Sequence, residues 1–323
     1  MRFRELFFFA ALSLSPGVSH ALSCSISGVQ PINFGNVNPL SNTGAETTMT
    51  FSYSCSKVLT DVLSAITLCF NIGASSNGQV NPHSMAFAGP PASTLNYELY
   101  QNQAHTVVWG NQNQAGTTPP MAQITLLNLT PVTGSLTVYA KLTTPQITAA
   151  PGSYLDSFNT ATASVTTNTG LALPPADCGN GTGPSFPFNV TAVVTKQCNI
   201  SFVNNISLPQ ATMNQTNLAS SNTLGVACSN NTPYSIGLSP SNGSTTGSGQ
   251  MKTSGSGSNT DTVPYQLRST SGQSGTPWGS ITANSVNGTG SGSTTAYTVY
   301  ATVPSANYAP DNYADTVTIN VTY

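Results

Sequence analysis

Charge is nearly missing from this chain. Of its 323 residues only 5% are Asp, Glu, Lys or Arg, against about 25% in ordinary soluble domains. Beyond the first 21 residues just five Lys and Arg remain, widely scattered. A nucleic-acid binder needs a basic footprint to neutralise phosphates, so no nucleic-acid partner is expected. Histidine is almost absent too: past the opening segment only His83 and His105 occur, too few for a Ser/His/Asp or Cys/His nucleophilic set. There is no CxxC pair to suggest a zinc site. The eight acids beyond residue 21 are dispersed among polar stretches, a poor basis for paired catalytic carboxylates. No helical period runs beyond a turn or two, so no glycine-rich phosphate loop opens a helix. The chain therefore reads as a non-enzyme with no metal and no cofactor.

What is present is polar, uncharged and punctuated. Ser, Thr, Asn, Gln and Gly fill the surface positions, while apolar residues, 38% of the chain, recur in short alternating runs. That apolar share argues against disorder. The chain opens with Arg2 and Arg4, an apolar run from Leu6 to Leu14 and Ser19-His20-Ala21, the layout of a secretion signal too short to span a bilayer. Residues 1–21 are read as that signal, and the six cysteines behind it as disulfides of an oxidising compartment.

The two halves repeat. Cys24 and Cys55 are 31 residues apart, Cys198 and Cys228 are 30 apart; Tyr97 precedes Trp109-Gly110 by 12, Tyr265 precedes Trp278-Gly279 by 13. Leu136-Thr-Val-Tyr139-Ala matches Tyr297-Thr-Val-Tyr300-Ala, and Ala150-Pro-Gly-Ser-Tyr-Leu-Asp156 matches Ala309-Pro-Asp-Asn-Tyr-Ala-Asp315. The order is the same in both, so the chain holds two copies of one domain, 22–183 and 184–323. Short Val-, Thr-, Ile- and Tyr-rich elements between Gly, Pro, Asn and Ser clusters make each copy an all-β, immunoglobulin-like sandwich. Repetition pairs Cys24 with Cys55 and Cys198 with Cys228, leaving Cys69 with Cys178, although six cysteines allow fifteen connectivities.

The strand count is uneven. In Phe186 to Lys196, Phe186, Phe188, Val190, Ala192 and Val194 fall on one face, with Val193 the apolar exception on the other. This stretch is expected to complete the copy before it. The final strand presents Val317, Ile319, Val321 and Tyr323 on one face, and an apolar strand that ends a sandwich leaves an open edge that another chain can cover. The second domain is thus expected to lack its last strand.

In these ordered features the chain resembles the spore coat protein U family, the subunits of archaic (Csu-type) chaperone–usher pili. The resemblance rests on the early Cys pair, the Tyr…Trp-Gly hairpin, the Thr-Val-Tyr-Ala strand, the Pro-x-x-Tyr-x-Asp turn and the alternating last strand, each twice. It implies a sandwich completed by a strand from outside, first from a periplasmic pilus chaperone and later from the next pilus subunit, with an outer-membrane usher as a further partner. In rod subunits of that family the donor precedes the first Cys, where only Leu22 and Ser23 stand here. Two-domain members are tip adhesins, which implies secretion through the periplasm to the pilus tip on the cell surface, attachment to an abiotic or host surface, and biofilm formation. A structural coat or matrix protein and a lectin-like sugar-binding module remain as alternatives.

Tip subunits of this kind attach through exposed apolar loops. Copy two fills its connections with Gly, Ser and Thr, whereas copy one places Met85 and Phe87, Met121, Ile147, and Leu171 and Leu173 in connections flanked by Pro and Gly. These six are the expected surface-binding residues, and Met85 and Phe87 lead because rigid residues flank them.

Overall fold

The computed structural model describes residues 22–255 and 257–323; the expected secretion signal lies outside the described residues. Among them every regular element is a strand. The first unit holds β1 (Ser23–Ser27), β2 (Ile32–Val37), β3 (Glu46–Ser56), β4 (Ala65–Ile72), β5 (His83–Phe87), β6 (Ser93–Tyr100), β7 (Met121–Thr125), β8 (Val132–Leu142), β9 (Gly152–Phe158), β10 (Ala163–Gly170), β11 (Gly181–Ser185) and β12 (Phe188–Val194). The second holds β13 (Cys198–Val203), β14 (Thr216–Cys228), β15 (Pro233–Pro240), β16 (Ser248–Thr253), β17 (Thr262–Arg268), β18 (Val286–Thr289), β19 (Thr294–Ser305), β20 (Tyr313–Ala314) and β21 (Val317–Thr322).

Each unit is two facing sheets. In the first they run β1-β3-β8-β6-β5-β9-β12-β2 and β11-β10-β4-β7; in the second, β13-β14-β19-β17-β16-β20 and β18-β15-β21. The alternation seen in the sequence is the reason: on β12 and β17 alternate side chains are buried, as a strand with one face in a core requires. β4 is buried on both faces along its whole length. The units share their internal marks. The Trp109 indole N–H donates to the Phe70 carbonyl at 2.6 Å, and that of Trp278 to the Ile236 carbonyl at 2.8 Å. The Tyr97 and Tyr265 hydroxyls donate to Asp156 and Asp315, both at 2.7 Å. The three disulfides are Cys24–Cys55, Cys69–Cys178 and Cys198–Cys228. The first and third join directly opposed residues of the opening strand pair in each unit.

Residues 83–87, expected in a connection, instead form β5 and pair with β6 and β9. β7 ends at Thr125, and the apolar run from Val62 enters β4 only at Ala65. β9 and β10 are separated where Asn159 Oδ1 accepts the Ala161 and Thr162 amides, an Asx turn. β10 continues to Gly170 and β11 begins at Gly181.

Candidate functional site

The stretch Phe186–Lys196 sits in the first unit. β12 runs antiparallel to β9, with Phe188 opposite Phe158 and Val194 opposite Gly152, and parallel to β2, with Val190 opposite Ile32. Phe186, Phe188, Val190, Ala192 and Val194 are all buried in the first core. At about 1.5–3 kcal/mol for each larger side chain, their burial contributes roughly 10 kcal/mol before ordering costs, comparable to the net stability of a domain. β11 extends the filler further than the alternation indicates. It pairs antiparallel with β10, so residues 181–194 follow the β9–β10 pair along its length. Between them the Phe186 amide donates to Ala163 O at 2.9 Å.

The second unit has no such strand among the described residues. β20 and β21, the counterparts of β9 and β10, are each a sheet edge. The counterpart of β2, around Ile206 and Leu208, is not a strand, although both side chains pack on the second core. β2 has β12 as its sole sheet neighbour, so a segment in that position stays irregular without a strand beside it. Between residues 203–211 and 305–319 lies a groove of about 940 Å³ floored by Leu218, Leu238, Val263, Leu267, Val299 and Val303. Val317 and Ile319 line it; Val321 packs against the same core, and Tyr323 is half-exposed at the end of the free edge.

A second feature lies at one end of the first unit. Ala65 opens β4 opposite both Gly170 and Thr125, so the connections 57–64, 126–131 and 171–180 leave the sheet together. The Leu126 amide donates to Ser64 O at 2.7 Å, and the Ser64 hydroxyl donates to Leu171 O. Each connection is built to hold an apolar tip outward. Asp61 accepts the Val58 amide at 2.8 Å, and Asn128 Oδ1 accepts the Thr130 amide at 3.0 Å, side-chain-closed turns that fix short loops. The third is tied to β4 by Cys69–Cys178 and by Pro175 O, which accepts from Thr67 and Gln123. Leu59, Leu127 and Leu173 are 87%, 88% and 80% exposed, and Val62, Leu129 and Leu171 are exposed beside them. β11 and β12 carry the chain away from this end for about 40 Å at the usual strand rise, and Cys198 of the second unit follows. The apolar end therefore faces away from the second unit.

The expected surface residues divide against this geometry. Leu171 and Leu173 belong to the apolar end. Met85 does not: it is fully buried in the first core, because β5 turns that face inward. Phe87 is partly buried, its ring 5.6 Å from Tyr154 and packed over Gly152. Ile147 lies at the opposite end, against Gly292 of the second unit, beside a 2.8 Å hydrogen bond from Asn230 Nδ2 to Thr148 O. Met121 is exposed, but it starts β7 opposite Cys69, four residues from the end where the loops cluster. Leu59, Val62, Leu127 and Leu129 went unmarked in the sequence.

Beneath β9 sits a buried polar cluster. Asp156 accepts from Tyr97 and from Ser76 at 2.8 Å. Burial, then Asp156, pushes the Tyr97 hydroxyl up, so it remains a donor. His83 Nε2 lies 4.0 Å from Glu98 Oε1, and neither His83 Nε2 nor Glu98 Oε2 has a hydrogen-bond partner among the described residues. Burial pushes Glu98 up to about 7 and His83 down. No group of three His, Cys, Asp or Glu among the described residues is placed to hold a metal ion.

The Spore Coat Protein U domain family matches residues 10–161 and 185–320. The chain belongs to this family. Its second match begins at residue 185, so the family's domain includes with the following copy the strand that here is paired into the preceding one. No curated protein matches the chain. Among solved structures, the chain resembles one from the pre-assembly complex of the chaperone CsuC with the tip adhesion subunit CsuE of archaic chaperone–usher Csu pili of Acinetobacter baumannii. That match has 16% identity and a TM-score of 0.52, covering 93% of this chain and 100% of that one. The CupB6 tip adhesin of Pseudomonas aeruginosa is similar at 12% identity and TM-score 0.38, covering 93% and 94%. CfaE, the adhesive subunit of CFA/I fimbria of enterotoxigenic Escherichia coli, is similar at 11% and 0.33, covering 92% and 93%. At 16% identity the likeness to the CsuE structure is one of fold.

Proposed function

We propose that this Spore Coat Protein U protein is the adhesive tip subunit of a chaperone–usher pilus, secreted through the periplasm and displayed on the cell surface. The first unit attaches to a surface through its three apolar loops. The second takes a strand from another protein, a periplasmic chaperone before assembly and the next pilus subunit after it, the transfer occurring at an outer-membrane usher. The observation that carries this reading is the contrast between two copies of one sandwich: one filled by its own chain and crowned with exposed leucines, the other with an open slot and short polar loops at the joint. Three exposed leucines on braced turns, with few charges to dehydrate, suit an apolar surface. Surface attachment of this kind supports biofilm formation.

The test replaces Leu59, Leu127 and Leu173 together with Ser. Attachment to polystyrene is expected to fall at least tenfold, since each buried leucine contributes about 1.5–3 kcal/mol, while the melting temperature stays within about 2 °C. Met85→Ser serves as the contrast and should destabilise the fold instead. Unchanged attachment by the triple variant would falsify the loop assignment; competition by a free sugar would favour a lectin.

A further inference from the structure

The strand that fills the first slot brings a plug with it. The Phe186 ring packs 5.4 Å from Phe51, 5.9 Å from Trp109 and 6.2 Å from Phe70. The corresponding corner of the second unit can be found by register. Leu224 stands opposite Tyr297 as Phe51 stands opposite Leu136. Ile236 accepts the Trp278 indole N–H as Phe70 accepts that of Trp109. Two phenylalanines have become shorter aliphatic residues, which by itself would leave the corner hollow. Yet with no strand in the slot Leu224, Ile236 and Trp278 are at most 2% exposed. The space is filled from within. Tyr297 replaces Leu136, and its ring lies 6.3 Å from Trp278. Tyr234, two residues before Ile236 as Leu68 is before Phe70, holds the Tyr297 hydroxyl at 2.6 Å. The open groove reaches Leu224 but neither Ile236 nor Trp278.

We propose that the slot of the second unit accepts a strand with apolar side chains at the four alternating positions held in the first unit by Phe188, Val190, Ala192 and Val194, and gains nothing from an aromatic residue at the position of Phe186. The incoming strand runs antiparallel to residues 311–317, the counterpart of β9, and parallel to the segment around Ile206 and Leu208, as β12 does to β9 and β2. Tyr297 and Tyr234 are then the specificity-determining residues: they close the corner that a plug would otherwise occupy, so a plug-bearing strand has no advantage. This inference rests on the reading of the slot as a strand acceptor.

The experiment uses the full-length chain and three fluorescent peptides with the sequence of residues 186–195: unaltered, with Phe186→Ser, and with Val190→Asp. The first two are expected to bind within twofold of one another by anisotropy, and the third at least tenfold more weakly. In the chain itself, Phe186→Ser should lower the melting temperature of the first unit by several degrees. A tenfold loss for the Phe186→Ser peptide overturns the inference, as does an in-chain Phe186→Ser that melts like the parent. Failure of all three peptides to bind is a different result and overturns the strand-acceptor reading itself.

Discussion

His83 and Glu98 are the residues whose chemistry is hardest to anticipate from the letters alone. Both are buried in the first unit, 4.0 Å apart, among Tyr97, Asp156 and the Gln79 carbonyl, which His83 Nδ1 meets at 3.1 Å. β12, packed beyond β9, adds no charge there. The neutral form of each is favoured by burial. Glu98, raised to about 7 from the ordinary 4.5, contributes stability that is fully present below pH 4.5 and is lost as pH rises through 7. His83, held below its ordinary 6.5, contributes stability present above 6.5 and lost as pH falls. The two losses oppose one another below pH 6.5; above it only the Glu98 loss remains, so the first unit should be less stable at pH 8 than at pH 6.5. Glu98→Gln should remove the alkaline loss and gain about 3 kcal/mol over the parent at pH 8. Thermal melts from pH 5 to 9 check this, and parallel curves for the two proteins would contradict it. At this scale the sequence misleads for a physical reason. Met85 and Phe87 stand between prolines and glycines as loop residues do, yet a five-residue strand fits there. Leu127 and Leu129 look like a strand's inward face, yet they lie past its end; apolar letters alone do not say which side of a sheet edge they are on.

β12 is the element that was legible. Its period of two is clean, and a strand needs one buried face to show that pattern. β11 was not legible, because Gly-Thr-Gly-Pro-Ser offers the core no alternating side chains and joins β10 through backbone hydrogen bonds alone. The open slot could be inferred from strand counting, but not the groove's floor, nor the irregular segment around Ile206 and Leu208, which depends on what is absent beside it. The weight placed on β12 makes a sharp expectation. Val190→Asp buries a carboxylate between β9 and β2, with no cation in reach among the described residues. It should cost at least 4 kcal/mol and expose the first core to solvent, while the second unit keeps its Cys198–Cys228 bond. Amide hydrogen exchange would report it: fast exchange along β9 and β2, unchanged exchange along β14 and β19. Equal protection of β9 in variant and parent would mean that the first sandwich closes without this strand.

The two sandwiches meet through a tight joint. Between β12 and β13 only three residues intervene, and the first unit's loop 143–151 rests on the second. Gly292, at φ 80°, lies so close that a Cβ there would stand 2.0 Å from the Ile147 carbonyl. Gly292→Val should therefore wedge the units apart with both folds intact, seen as a larger radius of gyration in small-angle scattering with an unchanged far-ultraviolet spectrum; an unaltered radius would show that the contact does not set the angle. The same joint governs what happens when the molecule is pulled. Were the leucine end held to a surface and the second unit gripped by another subunit, as proposed, tension would pass through Thr195 into β12, along the strand's own axis. Hydrogen bonds to β9 on one side and β2 on the other then lie across the direction of pull and must shear together instead of opening one at a time. A chain that completes its own first sandwich in this way has placed a strand loaded in shear on both sides directly in the path of the force.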